Sequence, residues 1–230
     1  MTRVIGMLIF PRLTQLDMTG PYEVLARLPN TTVHLVAHTM EPVKTDRGMM
    51  IVPTVTFADC PALDVVMVPG GPGQQDLMED ETVLEFLRRQ AKGAKYVTSV
   101  CTGSLVLAAA GLLKGKRATC HWAAIEHLKP LGAIPVSERV VIDGNTVTGA
   151  GVASGIDFGL RLASILEGED VARQIQLQIE YDPDPPFDSG SPKTALPATL
   201  ETLRGRLATL NEQRRETARK VGRKLGVPQT

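Results

Sequence analysis

Residues 96–111 read YVTSVCTGSLVLAAAG. The β-prone run at 95–100 is typical of a strand buried in a parallel sheet, and the apolar, alanine-rich run at 104–110 is typical of a helix that ends at Gly111. A short turn that begins with Cys101 separates the strand from the helix. The sequence therefore predicts a nucleophile elbow, with a thiol at the carboxyl edge of the sheet, where open α/β folds form their ligand crevice.

Strand-like and helix-like segments alternate on both sides of this turn. Short apolar or alternating runs predict strands at 4–10, 32–37, 50–57, 63–69, 117–120, 139–142 and 146–148. Helical spacing and helix-start signals predict helices at 21–28, 83–90, 122–128 and from the glycine-rich turn at 149–151 toward 166. The segment 50–57 is expected to be a hairpin or an edge element. This order predicts an α/β fold with a doubly wound, mostly parallel sheet flanked by helices, a flavodoxin-like sandwich with right-handed crossovers.

The end of the chain differs in composition from the rest. Residues 182–197 are rich in Pro, Ser, Gly and Asp, which predicts an irregular loop rather than a second domain. Leucines then recur at three- and four-residue steps and predict an amphipathic helix over 198–225. These leucines are Leu196, Leu200, Leu203, Leu207 and Leu210. We expect residues 1–190 to form a catalytic domain, and residues 191–230 to add a Pro-rich lead-in and a C-terminal helix that belong to the same domain or to a dimer interface.

The charge of the chain is balanced overall but not along its length. The 230 residues include 25 Lys+Arg and 25 Asp+Glu, and 43% of them are hydrophobic, which suits one soluble domain. A net charge of zero excludes a globally basic nucleic-acid binder and an acidic disordered chain. Residues 1–190 hold 16 basic against 22 acidic side chains, whereas residues 191–230 hold 9 against 3. We expect the acidic body and the basic terminal helix to pair with each other.

The sequence also bears on location and on bound groups. No apolar run approaches the roughly 20 residues that cross a bilayer, and the start of the chain lacks a signal-peptide pattern, so we expect a cytoplasmic protein with neither membrane nor nucleic acid as a partner. Three cysteines without metal-ligand spacing are expected to be free thiols, with no bound metal. Neither a G-x-G-x-x-G fingerprint nor a phosphate-loop lysine occurs, and no cofactor is expected.

Cys101 is the strongest candidate for chemistry. A thiol at a helix N-terminus lies near the positive end of the helix dipole and near free N–H groups, which lower its pKa and make the thiolate available near neutral pH. The alternative is a buried structural cysteine. Cys60 precedes Pro61 in a loop and Cys120 ends a strand, so both are interpreted as structural.

Other residues at the same sheet edge each have two interpretations. Asp17, shortly after the first strand, is a candidate for proton transfer, although such a carboxylate is often a helix cap or a turn residue. The Gly70-Gly71 pair and the turn around Ala150 are candidates to present N–H groups to an anionic intermediate, or they are plain turns. His121 is better placed than the other histidines, but a lone histidine there is more often structural.

Together these residues resemble the PfpI-like members of the class I glutamine amidotransferase-like superfamily, and within it the isonitrile hydratases. The resemblance spans nearly the whole chain. It is carried by QLDMTGP at 15–21, PGG at 69–71, SVCTGS at 99–104, GKRATCHW at 115–122 and YDPDPPF at 181–187. The first four segments also resemble the sensory domains of AraC-type regulators, whereas the last one, with the terminal helix, resembles the hydratases alone.

The resemblance implies a homodimer in which the Cys101 thiolate attacks the terminal carbon of an isocyanide, R–N≡C. Asp17 supplies and later recovers protons, water is the second substrate, and the product is an N-substituted formamide. No cofactor takes part. The resemblance also implies that the backbone N–H groups of Gly71 and Thr102 donate into the pocket, with Ala150 and Val152 as neighbours.

Three positions depart from what is common among such relatives. Thr102 stands where protease-like and glyoxalase-like relatives often carry histidine, which disfavours both of those activities. Ala150 stands where hydratases tend to have glycine, so we expect a more crowded or stiffer pocket. Cys120 stands in place of a usual threonine.

Two other functions agree with parts of the sequence. One is a ligand-sensing domain of the AraC kind, whose two helix-turn-helix units do not fit into the segment after Pro192, so that a separate partner would have to bind DNA. The other is a redox-sensing stress protein, because an exposed thiol of low pKa at Cys101 would be readily oxidised.

Overall fold

A seven-stranded sheet forms the centre of the molecule, which a computed structural model describes over residues 2–229. The strands in chain order are β1 (Arg3–Leu8), β2 (Thr31–Ala37), β3 (Val43–Lys44), β4 (Met50–Ile51), β5 (Val55–Thr56), β6 (Val65–Val68), β7 (Tyr96–Val100), β8 (Arg117–Ala118), β9 (Ile134–Pro135), β10 (Val140–Asp143) and β11 (Thr146–Gly149). Over the described residues the sheet has the order β10-β11-β7-β6-β1-β2-β5, and its pairings are parallel except that of β10 with β11. The predicted mostly parallel sheet is confirmed.

Helices flank this sheet in two layers. They are α1 (Gln15–Leu25), α2 (Gln74–Leu77), α3 (Glu81–Ala91), α4 (Gly103–Ala109), α5 (Ser154–Glu167), α6 (Glu169–Gln178) and α7 (Pro197–Lys224), with a 3-10 helix at Ile125–Leu131. One layer contains α1, α5 and α6, and the other contains α2, α3, α4, α7 and the 3-10 helix. The result is the predicted α/β sandwich with a C-terminal helical extension.

The strand order determines where the candidate residues meet. The chain runs from β1 to β2 and β5 and then returns to the other side of β1, so the direction of winding reverses between β1 and β6. Open α/β sheets bind ligands beside such a reversal, at the carboxyl ends of the strands. The four residues of β6 are all buried, as expected for a central parallel strand. The segments that follow β1, β6 and β7 therefore lie side by side at one edge.

The first helix begins earlier than the sequence predicts. α1 starts at Gln15 and contains Pro21 in its interior, whereas we expected Pro21 at the start of the helix. Glycines of α5 allow α1 to pack closely at this point, because a Cβ on Gly155 would lie 2.9 Å from Pro21 Cδ. The earlier start places Asp17 in the first turn of α1.

Three other segments also differ from their predicted form. The helix expected at 122–128 is the 3-10 helix Ile125–Leu131, and the strand-like run 50–57 is divided between β4 and β5. The helix expected toward 166 is α5, but α6 follows it directly, and the sequence did not indicate α6. Gly168 joins the two helices with φ of 90°, a conformation that favours glycine.

The terminal helix packs through a different set of residues from the one expected. α7 agrees in position with the predicted helix at 198–225, and no helix or strand is found over 182–196, a part that the structure describes. Its buried residues lie in its second half and are Arg214, Thr217, Ala218, Val221 and Gly222. Leu203, on the expected packing stripe, is 39% exposed. Leu203, in the first half of α7, is therefore left uncovered by its own chain.

Charge pairing between the tail and the body is limited. In the described part of the chain, one ion pair joins a basic residue beyond 190 to an acidic residue of the body, from Lys220 to Glu79 at 2.5 Å. The expectation that the two oppositely charged segments pair broadly is therefore wrong. α7 is held instead by close packing, since a Cβ on Gly222 would meet the Pro130 carbonyl oxygen. Among residues 2–229, no helix is both long enough and apolar enough to cross a membrane.

Candidate active site

Cys101 lies on a sharp turn between β7 and α4. Its φ is 58°, in the left-handed region that non-glycine residues rarely adopt. Its N–H is shared between the carbonyl oxygens of Gly149 and Ala150, at 3.0 and 2.7 Å, which fixes the turn. Gly103, two positions on, has no room for a side chain because a Cβ there would lie 2.0 Å from the Val68 carbonyl oxygen. Close approach of backbones thus holds the thiol in a strained nucleophile elbow.

Asp17 is buried beside this thiol. Its side chain is 0% exposed, and Oδ2 accepts a hydrogen bond from Gly70 N–H at 3.0 Å. The other oxygen, Oδ1, has no hydrogen-bond partner among the described residues, whereas the Cys101 thiol interacts with the same carboxyl group. One oxygen of Asp17 is therefore held by the backbone, and the other is buried without a partner.

The environment of Asp17 favours its neutral form. Burial raises its pKa to about 7, although hydrogen bonds from Cys101 and Gly70 act in the opposite direction. The negative charge of Asp46 raises the pKa a little further. A carboxyl group that titrates near neutral pH can both accept and give a proton in one catalytic cycle.

The pKa of the Cys101 thiol is not lowered, contrary to the sequence-based expectation. Burial raises it well above its ordinary value, and Asp17 and Cys120 raise it further, while the Thr102 N–H lowers it by a hydrogen bond to sulfur. Because Cys101 is only 5% exposed, loss of hydration outweighs the positive end of α4, a short helix. Cys101 is therefore a protonated thiol at rest and needs a base to become a nucleophile.

A cavity of about 630 Å³ opens in front of the thiol. Its wall combines residues from the sheet edge with residues from the terminal helix α7. The residues from the sheet edge include Leu16, Gly71, Thr102, His121 and Val152, and those from α7 are Leu207, Leu210 and Arg214. The terminal helix thus closes one side of the site with two leucines and one cation.

The proposed backbone donors are placed differently from the expectation. Gly71 N–H already donates to Thr102 Oγ1 at 3.1 Å, and Ala150 N–H donates to the Arg139 carbonyl at 2.9 Å, so neither group is open to a ligand. Thr102 N–H points at the Cys101 sulfur. Gly71 and Thr102 line the cavity, and their hydrogen bonds hold the glycine loop against the elbow.

Ala150 and Val152 take separate positions. Ala150 lines a neighbouring cavity of about 500 Å³, whereas Val152 lies in the wall of both cavities. The expected crowding by Ala150 therefore affects the neighbouring cavity, and Val152 is the residue of this turn that faces the thiol. Ala150 still contributes to the site through its carbonyl oxygen, which accepts the N–H of Cys101.

The remaining cysteines and His121 are less suited to chemistry than Cys101. Burial raises the pKa of Cys120 to about 12, which makes this thiol unreactive, and Cys60 is half-buried with a pKa raised by burial. Burial and the Arg214 charge lower the pKa of His121 to about 4, so its ring is neutral where it lines the cavity. His121 therefore does not act as a cationic partner of the thiol.

The cavity residues of α7 were missed by the sequence reasoning, although a signal was present. Leu203, Leu207, Leu210 and Arg214 follow one another at four- and three-residue steps. Arg214 thus continues the stripe of one helix face, and a charged residue in such a position is either exposed or paired with a specific group. The sequence did not distinguish these possibilities, because it did not show which part of the body α7 covers.

The structure is an α/β sandwich with a buried thiol on a nucleophile elbow and a carboxylic acid beside it. These features define a class of cysteine-dependent proteins that act at the carboxyl edge of a parallel sheet. Residues 3–165 match the family model described as the DJ-1/PfpI family. The chain belongs to the DJ-1/PfpI family.

Three similar proteins differ in how much of their length matches this chain. It is 56% identical to an isonitrile hydratase of Pseudomonas putida, over 97% of this chain and 98% of the relative. The crystal structure of a THiJ/PfpI family protein from Pseudomonas syringae superposes with a TM-score of 0.93 at 42% identity, over 95% of this chain and 91% of that one. A transcriptional regulator of the HTH type, GbdR of Pseudomonas aeruginosa, is 34% identical over 59% of this chain but only 37% of its own length.

Proposed function

We propose that this protein is an isonitrile hydratase, which adds water to the terminal carbon of an isocyanide and releases an N-substituted formamide. The observation that carries the proposal is that Cys101 lines a largely apolar cavity and interacts with the buried Asp17 carboxyl group. The near full-length identity of 56% to a protein named isonitrile hydratase supports the same activity.

The first step is the addition of the thiol to the isocyanide. The ionised Asp17 carboxylate takes the proton of the Cys101 thiol, and the sulfur forms a bond to the terminal carbon of R–N≡C. Negative charge then develops on that carbon. Asp17 returns the proton to the carbon, which gives the thioimidate R–N=CH–S–Cys101. The Asp17 carboxyl group, which interacts with the Cys101 thiol, is the group proposed for both transfers.

The second step is hydrolysis of this thioimidate. Asp17, again ionised, takes a proton from water, the hydroxide adds to the same carbon, and the proton passes to nitrogen. Breakage of the C–S bond, with transfer of the hydroxyl proton to sulfur, releases R–NH–CHO and restores the thiol. Each proton that Asp17 accepts is therefore returned within the cycle, and an acid whose pKa is about 7 suits both directions.

The alternative functions lack a comparable observation. A redox sensor requires an exposed thiol of low pKa, but Cys101 is buried and its pKa is raised. A sensory domain of the AraC kind is supported only by partial matches such as the one to GbdR, which covers 37% of that regulator.

We also propose that the protein is a cytoplasmic homodimer. Leu196, at the N-cap of α7, and Leu203 are exposed, and a second copy of the chain would cover them. Cys60, Cys101 and Cys120 are all free thiols, and the reducing cytoplasm would keep Cys101 in its active form.

An assay with purified protein and cyclohexyl isocyanide tests the function. We expect the wild type to form N-cyclohexylformamide, Cys101→Ala to lose turnover by at least about 10³-fold because the nucleophile is gone, and Cys60→Ala, the matched control, to keep wild-type rates. Intact-mass analysis of the wild type should detect the covalent adduct on Cys101. Formamide production at an equal rate by Cys101→Ala would show that another residue is the nucleophile.

A further inference from the structure

Arg214 is a buried cation in the wall of the Cys101 cavity. It projects from α7, and the residue is 5% exposed. Its Nε donates to Gln74 Oε1 at 3.0 Å, and its Nη1 donates to Asn211 Oδ1 at 3.3 Å. Gln74 is itself fully buried and is fixed by a hydrogen bond to Met78 Sδ. Two neutral amides therefore hold the guanidinium in one orientation.

The charge of Arg214 is not neutralised by a carboxylate. No ion pair involves Arg214 within residues 2–229, and its Nη2 has no hydrogen-bond acceptor there. Burial of a guanidinium without an anion is costly, and such a cation is commonly paired or reserved for a ligand. Since Arg214 lines the cavity, the free part of its guanidinium is available to a molecule that enters it.

The other charged groups around the cavity do not substitute for this missing anion. Asp46 lies in the wall, and its Oδ2 accepts a hydrogen bond from Thr14 and is 3.8 Å from Arg47, while its Oδ1 is buried without a partner. Asp46 forms no ion pair with Arg214 among the described residues. The Arg47 side chain, at 89% exposure, belongs to the rim. His121 is kept neutral, partly by Arg214 itself. The cavity thus has one deeply placed positive group, in the same lining as Cys101.

We propose that Arg214 binds a carboxylate on the substrate, so that the preferred substrates are isocyanides that carry a carboxylate group. This inference rests on the proposed hydratase function and adds the substrate class to it. The isocyanide carbon lies at Cys101, the carboxylate pairs with Arg214, and the part between them contacts Leu207 and Leu210.

A carboxylate fits this position better than a larger anion. The N–H groups of Nη2, together with the second N–H of Nη1, can donate to the two oxygens of a carboxylate, whereas phosphate sites usually combine several donors or cations. Arg214 and Cys101 line the same cavity, so the substrates we expect carry the isocyanide and the acid on one short molecule.

The test compares isocyanoacetate with its methyl ester, which has the same isocyanide and no charge. We expect the wild type to prefer isocyanoacetate by about 10- to 100-fold in kcat/KM, mainly through KM, as for a charge-assisted hydrogen bond in a buried site. Arg214→Gln should remove this preference, and Arg214→Lys should retain part of it. Arg215→Gln, the neighbouring arginine that pairs with Glu212 on the surface, is the matched control and should keep the wild-type ratio.

The outcomes separate this inference from the function on which it rests. An equal preference in the wild type and in Arg214→Gln, with both isocyanides hydrated, would overturn the carboxylate site and leave the hydratase function intact. If neither isocyanide is hydrated, the function fails, and calorimetric titration with N-formylglycine and its methyl ester still tests the site. Tighter binding of the acid that is lost in Arg214→Gln supports the proposal, and equal binding of acid and ester contradicts it.

Discussion

In the proposed mechanism, Asp17 and Cys101 exchange one proton. Both groups are buried, and burial raises the pKa of each, so the resting pair favours a neutral thiol. Their strength as nucleophile and acid therefore comes from transfer of one proton between them and not from a permanently ionised thiolate. This differs from the sequence-based expectation for Cys101, because the hydration lost on folding cannot be inferred from the position of a thiol at a helix start.

The pH dependence of turnover follows from the pKa of Asp17. The addition step needs an ionised carboxylate beside a protonated thiol, so kcat/KM should fall as the pH drops through about 7 and reach a plateau above it. The charge of Asp46 raises this pKa, so Asp46→Asn should move the acidic limb to lower pH.

Asp17→Asn should lower kcat/KM by about 10²- to 10⁴-fold and abolish the acidic limb of the pH profile, while the circular dichroism spectrum stays unchanged. A profile that is the same in Asp17→Asn and the wild type would remove Asp17 from the mechanism.

At the scale of helices and strands, close backbone contacts position the site. The sequence predicted the helices and strands better than it predicted these contacts. The order of strands and helices, the elbow at Cys101 and the terminal helix were predicted from short patterns. The early start of α1 was not, because a proline is typical of a helix start and here lies inside the helix, where α1 packs on Gly155 of the distant α5. The hydrogen bond from Gly71 N–H to Thr102 was equally invisible, since it joins loops that follow different strands.

The role of such contacts can be tested at the elbow. Gly103→Ala would bring a Cβ to 2.0 Å from the Val68 carbonyl oxygen, a backbone atom that cannot move without displacing β6. We expect a loss of about 1–3 kcal/mol or more in the free energy of unfolding, measured in urea, together with lower activity. Gly93→Ala, where a Cβ would meet open space, is the control and should change stability by no more than about 0.5 kcal/mol. Equal stability of the two variants would contradict this account of the elbow.

At the scale of the whole molecule, the terminal helix connects shape, charge and function. Its second half packs on the body and supplies Arg214 to the cavity, while Leu203 in its first half is left uncovered by the chain. The leucine periodicity predicted the helix. It did not predict which half of the helix packs on the body, because a single stripe continues through both halves. The division of the chain into residues 1–190 and 191–230 stays a prediction, although Leu207, Leu210 and Arg214 make the tail part of the same site.

The exposed leucines allow the proposed homodimer to be tested without disturbing the fold of one subunit. Leu203 is 39% exposed and has no place in the core, so Leu203→Glu should leave the circular dichroism spectrum unchanged. If α7 lies in a symmetric interface, the variant introduces a buried charge twice per dimer, and the dimer should dissociate at least about tenfold more readily. Thr209→Glu, an exposed position off the stripe, is the matched control. Sedimentation velocity over a range of concentrations distinguishes the outcomes: a dimer of unchanged affinity in Leu203→Glu would place the interface elsewhere, and a wild-type monomer would refute the homodimer.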